Sequence, residues 1–153
     1  MHDQLIETWQ IHNRINLYLL DAIKPEALND TLTPKSRTVG DQFAHMHNVR
    51  VMWLGVSAPD LLAGLEKIEK GAAMHLVDLQ FALAASGEAM EKLLQRGLEK
   101  GKIKGFKPSV AAFLGYAISH ESHHRGQILL TLKMAGHMVD KKVQFGIWEW
   151  GTR

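Results

Sequence analysis

The sequence predicts an all-α protein, a four-helix bundle with a long crossover between the second and third helices. Three observations lead there. Apolar residues recur at helical spacing through nearly the whole chain. All four prolines (Pro25, Pro34, Pro59 and Pro108) fall between these stretches, cutting the chain into four long segments. The length of 153 residues suits one domain with one core, so residues 1–153 are read as a single bundle domain.

The first helix is expected over Ile6–Ile23, with Trp9, Ile15, Leu19 and Leu20 on its apolar side and Pro25 ending it. Residues 24–37 then form a polar loop. Thr38, with Asp41 three residues on, is a capping arrangement that opens the second helix, which runs to about Val56. Ser57-Ala58-Pro59 breaks it, and the connection over 59–71 is expected to hold a short helix around Leu61–Ile68. That connection is long enough to cross the bundle and leave the second and third helices parallel. The third helix is expected from Ala72 to Lys100, with Gly87 tolerated inside it. Ser109 caps the fourth, and Gly136 closes it. The tail carries Phe145, Ile147, Trp148 and Trp150, an apolar set expected to pack back on the body.

Composition narrows the functional classes. A net charge of +2 predicts neither nucleic-acid nor membrane binding. The basic run from Lys92 to Lys107 reads as a solvated helix end and loop. No apolar run approaches the ~18 residues of a membrane span, and the N-terminus lacks a signal-peptide pattern, so a cytoplasmic protein is expected. With no cysteine there is no thiolate nucleophile and no cysteine-based metal site. Chemistry must come from histidines, carboxylates or a borrowed group.

The run Ser119-His120-Glu121-Ser122-His123-His124-Arg125-Gly126-Gln127 is where that chemistry concentrates. On a helix, His120 and His124 stand one turn apart on one face, with Phe113, Ala117, Ile128 and Thr131. Two imidazoles on an apolar stripe need partners for their nitrogens, either carbonyls and hydroxyls or a shared metal ion. A third ligand would come from the second helix, where His45 and His47 both qualify. Periodicity prefers His45 only mildly, because each lies on a stripe with apolar members. His123 reads as flanking or surface, His75 has no partner nearby in sequence, and His2, His12 and His137 read as surface residues.

Two motif readings compete. His120-Glu121-Ser122-His123-His124 matches the H-E-x-x-H pattern of zinc proteases, with Glu121 as general base. The longer form of that motif asks for glycine and histidine where Gln127 and Leu130 stand, and no sheet-forming stretch lies upstream. Glu121 is then either a base or a solvent-facing residue. The second reading uses more of the chain. The pattern His120-x-x-x-His124-Arg125-Gly126-Gln127 before an apolar helix is joined by Ala44-His45 with Trp53-Leu54 eight residues on. The ending Phe145-Gly146-Ile147-Trp148-Glu149-Trp150 completes it. Together these resemble the DinB/YfiT-like family of metal-dependent enzymes.

The resemblance implies a four-helix bundle, commonly dimeric, with three histidines on a divalent metal, nickel or zinc. By position the implied ligands are His45, His120 and His124. Arg125, Gly126 and Gln127 match the motif without being ligands, and Gln127 could orient a ligand or substrate. The extra histidines His47 and His123 depart from the commonest form and leave open whether either substitutes as a ligand. Similar proteins include thiol-dependent isomerases and S-transferases. The expectation is therefore a metal-dependent transferase acting on a small molecule with a low-molecular-weight thiol, in detoxification or stress response. The alternatives are a metal-binding protein without turnover (sensor or sequestration), a metal-dependent hydrolase, and an interaction domain without metal.

Overall fold

A computed structural model describes residues 2–72 and 75–153. Four long helices, α1 (His2–Asp21), α2 (Val39–Ser57), α3 (Leu76–Lys100) and α4 (Val110–Met134), are followed by the short α5 (Lys141–Gly146). Two 3-10 turns, Pro25–Asn29 and Pro59–Leu62, sit in the first and second connections. Among the described residues there is no strand, only an isolated bridge between Ile103 and Phe106.

Helix ends follow the local chemistry. Thr38 accepts a hydrogen bond from Asp41 N at 3.0 Å, and Ser109 accepts one from Ala112 N at 3.2 Å, each satisfying an amide that the first turn leaves unpaired. Gly101 stops α3 with a left-handed φ of 75°, a conformation glycine adopts without steric cost.

α1 packs on α3 and α4, and α2 packs on the same two helices. Side-chain pairs fix their directions. Trp9 Nε1 donates to the Gly87 carbonyl at 2.9 Å while Gln80 bonds Asp21, so α1 and α3 run antiparallel. Gln42 reaches Gln127 while Trp53 stacks edge-on against Phe113, so α2 and α4 run antiparallel. Trp9 shares an apolar cluster with Phe113 and Leu114, and Leu19 shares the other with Ile128 and Leu132, so α1 and α4 are parallel. It follows that α2 and α3 are parallel too, and the segment between them crosses the length of the bundle, as expected.

Two apolar clusters fill the interior. One gathers Ile15, Leu19, Leu20, Phe43, Met46, Leu83, Ile128 and Leu132. The other gathers Trp9, Leu54, Met90, Leu93, Leu94, Phe113 and Leu114. Between them lies a belt of buried polar residues to which all four helices contribute: His12 and Asn16 from α1, Arg50 from α2, Ser86 from α3 and Glu121 from α4. Gly87 is placed where α1 comes closest to α3. A Cβ there would collide with the Asn13 side chain.

Three expectations change. The first helix starts at His2 rather than Ile6 and ends at Asp21. The helix expected around Leu61–Ile68 contracts to the 3-10 turn Pro59–Leu62. Gly64 turns the chain with a φ of 75°, and side chains of α2 take over the backbone beyond it. Asn48 both donates to the Ile68 carbonyl and accepts from its amide at 2.8 Å, and His47 Nε2 donates to the Glu66 carbonyl at 2.8 Å. The third helix begins at Leu76; of the expected start, Ala73 and Met74 lie outside the described residues. The tail does fold back, with Ile147 buried in the core, Trp150 packed against it and Gly146 against Tyr18. Phe145 and Trp148, however, stay 69% and 77% exposed.

Candidate metal centre

α2 and α4 bring His45, His120 and His124 together. One ligating nitrogen from each lies within 4.8 Å of the others, and this group could hold a metal ion. His120 Nε2 faces His45 Nε2 at 3.3 Å. Nitrogens about 2.0–2.1 Å from a common ion in tetrahedral geometry would stand about 3.3 Å apart, so this spacing suits a cation between them. The three rings meet edge-on, with centroids 4.6–5.2 Å apart.

The surrounding groups prepare the nitrogens. His124 Nδ1–H donates to Gln42 Oε1 at 2.6 Å, which leaves Nε2 with a free lone pair. Gln42 Nε2 in turn donates to Gln127 Oε1 at 3.1 Å. Gln127 thus acts on the histidine through Gln42. Burial lowers the pKa of His45, as does the charge of Arg37 and then of His120. Burial likewise lowers His120, against the opposing pull of Glu121. Burial with the neighbouring His120 and His45 pulls His124 down to about 4. The three imidazoles are therefore neutral at pH 7, the form that binds a cation.

The other histidines stand apart. His47 is buried and occupied by the Glu66 carbonyl. His123 is exposed, its ring 5.0 Å from that of His124. His2 and His75 are exposed, and His137 donates through Nδ1 to Asp30 at 2.6 Å. His12, expected at the surface, is fully buried.

Glu121 does not face solvent, and it does not face the three histidines. It turns into the core toward α1 and α2 and is 2% exposed. Arg50 donates to both its oxygens, from Nε at 2.8 Å and from Nη2 at 2.6 Å. His12 Nε2 and Asn16 Nδ2 donate to Oε1 at 3.1 and 2.9 Å. Burial pushes the Glu121 carboxyl up, but the charge and hydrogen bonds of Arg50, with the bond from His12, outweigh it and hold the group far below the usual carboxylate range. A carboxylate so engaged is a poor proton acceptor, which removes the general base that the zinc-protease reading requires. Arg50 makes two further bonds, to the Leu83 carbonyl and Ser86 Oγ, and covers the Trp9 ring at 5.0 Å. Arg125 joins through Asn16 Oδ1 at 2.7 Å.

Sequence reasoning missed Arg50 and His12 in this belt. The signal was present in the spacing: Trp9, His12, Asn16 and Leu19 share one stripe of α1, and Phe43, His47, Arg50 and Leu54 share one of α2.

Open space borders His45 and, through Gln42, the partner of His124. A cavity of about 180 Å3 is lined by Arg37, Asp41, Ala44, His45 and Lys67 among others. A larger one, of about 550 Å3, is lined by Arg37, Gln42 and Gln127 among others. On the far side, one turn before His120 on α4, Tyr116 joins an aromatic group with Trp53, Phe106 and Phe113.

Among the described residues, no helix is long and apolar enough to cross a membrane. No curated protein matches the sequence. The family model of the DinB family matches residues 1–142, and the chain belongs to that family.

Proposed function

We propose that this chain is a metal-dependent enzyme whose His45, His120 and His124 bind a divalent ion, nickel or zinc, and that it transfers a low-molecular-weight thiol to a small electrophile in detoxification or stress response. The observation that carries the reading is the meeting of three neutral imidazoles from two helices, with His45 lining one open cavity and Gln42, which bonds His124, lining another. A site meant only to sequester or sense an ion has no need of space beside it, so the cavities favour turnover over storage.

An ion held by three neutral ligands keeps its charge and an open position, where it would acidify a thiol or a water molecule. The chain supplies the rest. Gln42 fixes the tautomer of His124, and Gln127 fixes Gln42. The belt around Glu121 locks the rotation of α4, and with it the direction of His120 and His124. The sequence has no cysteine, so any thiolate must enter from solution, which favours a thiol cosubstrate.

Zinc- or nickel-loaded protein incubated with small thiols and an electrophile tests the activity. Thioether formation that disappears in His124→Ala supports the reading. Hydrolysis without thiol transfer would replace it with a hydrolase, and a bound ion without turnover would replace it with a sensor or store. We read residues 1–153 as one domain that works in the cytoplasm as a homodimer. The half-to-largely exposed Met134, Met138, Phe145 and Trp148 support a self-association face. Sedimentation of Trp148→Glu as a monomer, against a wild-type dimer, would support it.

A further inference from the structure

The larger cavity beside the candidate metal centre has a one-sided charge. Lys35, Arg37 and Lys70 line its wall, together with the uncharged Leu32, Ser36, Gln42, Gln127, Leu130 and Thr131. Among the described residues that line it there is no carboxylate. The three cations come from two different connections, Lys35 and Arg37 from the one before α2 and Lys70 from the one before α3. All three are exposed, and none forms an ion pair with a carboxylate among the described residues, so they can meet a counter-charge from solution.

Arg37 and Lys70 also line the smaller cavity that holds His45, where Asp41 and Glu69 partly offset the charge. Asp41 is occupied in part by the Gly71 amide, which donates to it at 3.2 Å. Along α4 the order is then Tyr116, His120, His124, Gln127 and Thr131. Rings stand at one end and the cationic hollow at the other, with the histidines between.

We propose that the hollow lined by Lys35, Arg37 and Lys70 is an oxyanion-binding subsite, which makes the small molecule handled at the three histidines an anion bearing a carboxylate or phosphate group. The inference rests on the proposed function only for which end of that molecule reacts. The charged end sits among Lys35, Arg37 and Lys70, with amide donors of the glutamine wall beside it. The remainder extends toward His124 and His120, and an apolar portion meets Tyr116.

The test is titration of the full chain, metal-free and zinc-loaded, with inorganic phosphate and separately with succinate, followed by backbone amide shifts at low salt. Saturable shifts are expected at residues 35–37, 42, 70 and 127 with at least one of the two anions, in both forms of the protein. Which anion saturates first tells phosphate from carboxylate. In K35Q/R37Q/K70Q the affinity should fall at least tenfold, and in K92Q/K100Q it should not change. These side chains lie at the surface, so unaltered circular dichroism is expected of both variants. Saturation confined to the zinc-loaded form would mean that the anion ligates the ion and would overturn the subsite. So would equal affinity in the triple variant, or shifts spread over the 92–107 lysines. Persistence of the shifts in metal-free H120A would uphold the hollow even if that variant showed the metal reading to be wrong. One bound zinc with no anion response would do the reverse.

Discussion

Two polar clusters lie on adjoining stripes of α4 and differ in what surrounds them. His120 and His124 look toward α2 and open space; Glu121, one residue away, looks into the core. Around Glu121 every oxygen is engaged, by Arg50, His12 and Asn16, and two opposite charges meet in the interior. Around the histidines, His120 Nε2 and His45 Nε2 face each other at 3.3 Å, and among the described residues no carboxylate bonds any of the three rings. The carboxylate of the first cluster is fully engaged by the chain, although His12 Nδ1 beside it has no partner among the described residues; the second cluster brings three imidazoles within 4.8 Å of one another, an arrangement a cation would bridge. The comparison teaches that polarity on a buried helix stripe is structural where opposite charges pair, and points to a ligand site where like donor atoms converge.

The largest expected effect separates the two clusters by stability. Glu121→Ala leaves Arg50 buried without its partner, so the metal-free chain should lose about 3–5 kcal/mol in urea unfolding. His120→Ala removes a half-buried ring whose side-chain hydrogen-bond partner is His45, so the metal-free stability should fall by no more than about 1 kcal/mol. If the two variants unfold alike, the division fails.

A smaller loss is expected where α1 meets α3. Gly87→Ala forces Asn13 aside and strains the bond from Trp9, costing about 1–3 kcal/mol. Metal affinity should be untouched, because the site lies between α2 and α4. Next comes Gln42→Ala, which frees the His124 ring to rotate or change tautomer. Metal affinity measured by competition with a chelator should fall about 10- to 100-fold. An unchanged affinity would show that packing alone orients the ring.

Acid should distinguish the clusters by direction and window. The folded pKa of His124, about 4, lies below the ordinary imidazole value near 6.5, so the native state binds fewer protons than the unfolded one between those values. Stability of the metal-free chain should therefore decline as pH falls through that window, and His124→Gln should flatten the decline. Glu121 acts further down. Its contribution is full above the ordinary carboxylate pKa and is lost only as pH falls below it toward the depressed native value. The smallest effect is expected at the surface pair of Arg96 and Asp60, where Asp60→Asn should not move the urea midpoint.

Much of this architecture is written in local patterns. The caps at Thr38 and Ser109, the stop at Gly101 and the length of the segment between α2 and α3 all follow from residues a few positions apart. The candidate site is less local. Spacing alone hardly separates His45 from His47, and the structure shows why. Phe43, Arg50 and Leu54 on the His47 stripe are buried, whereas Met52 and Val56 on the His45 stripe are about half exposed. The more deeply buried stripe carries the histidine that bonds a loop carbonyl. The open cluster lies on the flank between helices, which no single-helix pattern reveals. Glu121 was ambiguous for a related reason. Its stripe with Leu114, Ala117 and Ile128 marks it as buried, but only the arrival of Arg50 from another helix makes a buried carboxylate stable.

The central claim is that His45, His120 and His124 share one divalent ion. Elemental analysis of protein purified without a histidine tag tests it most directly. The account predicts close to one equivalent of nickel or zinc in the wild type and almost none in His120→Ala. A full equivalent retained by His120→Ala would contradict it.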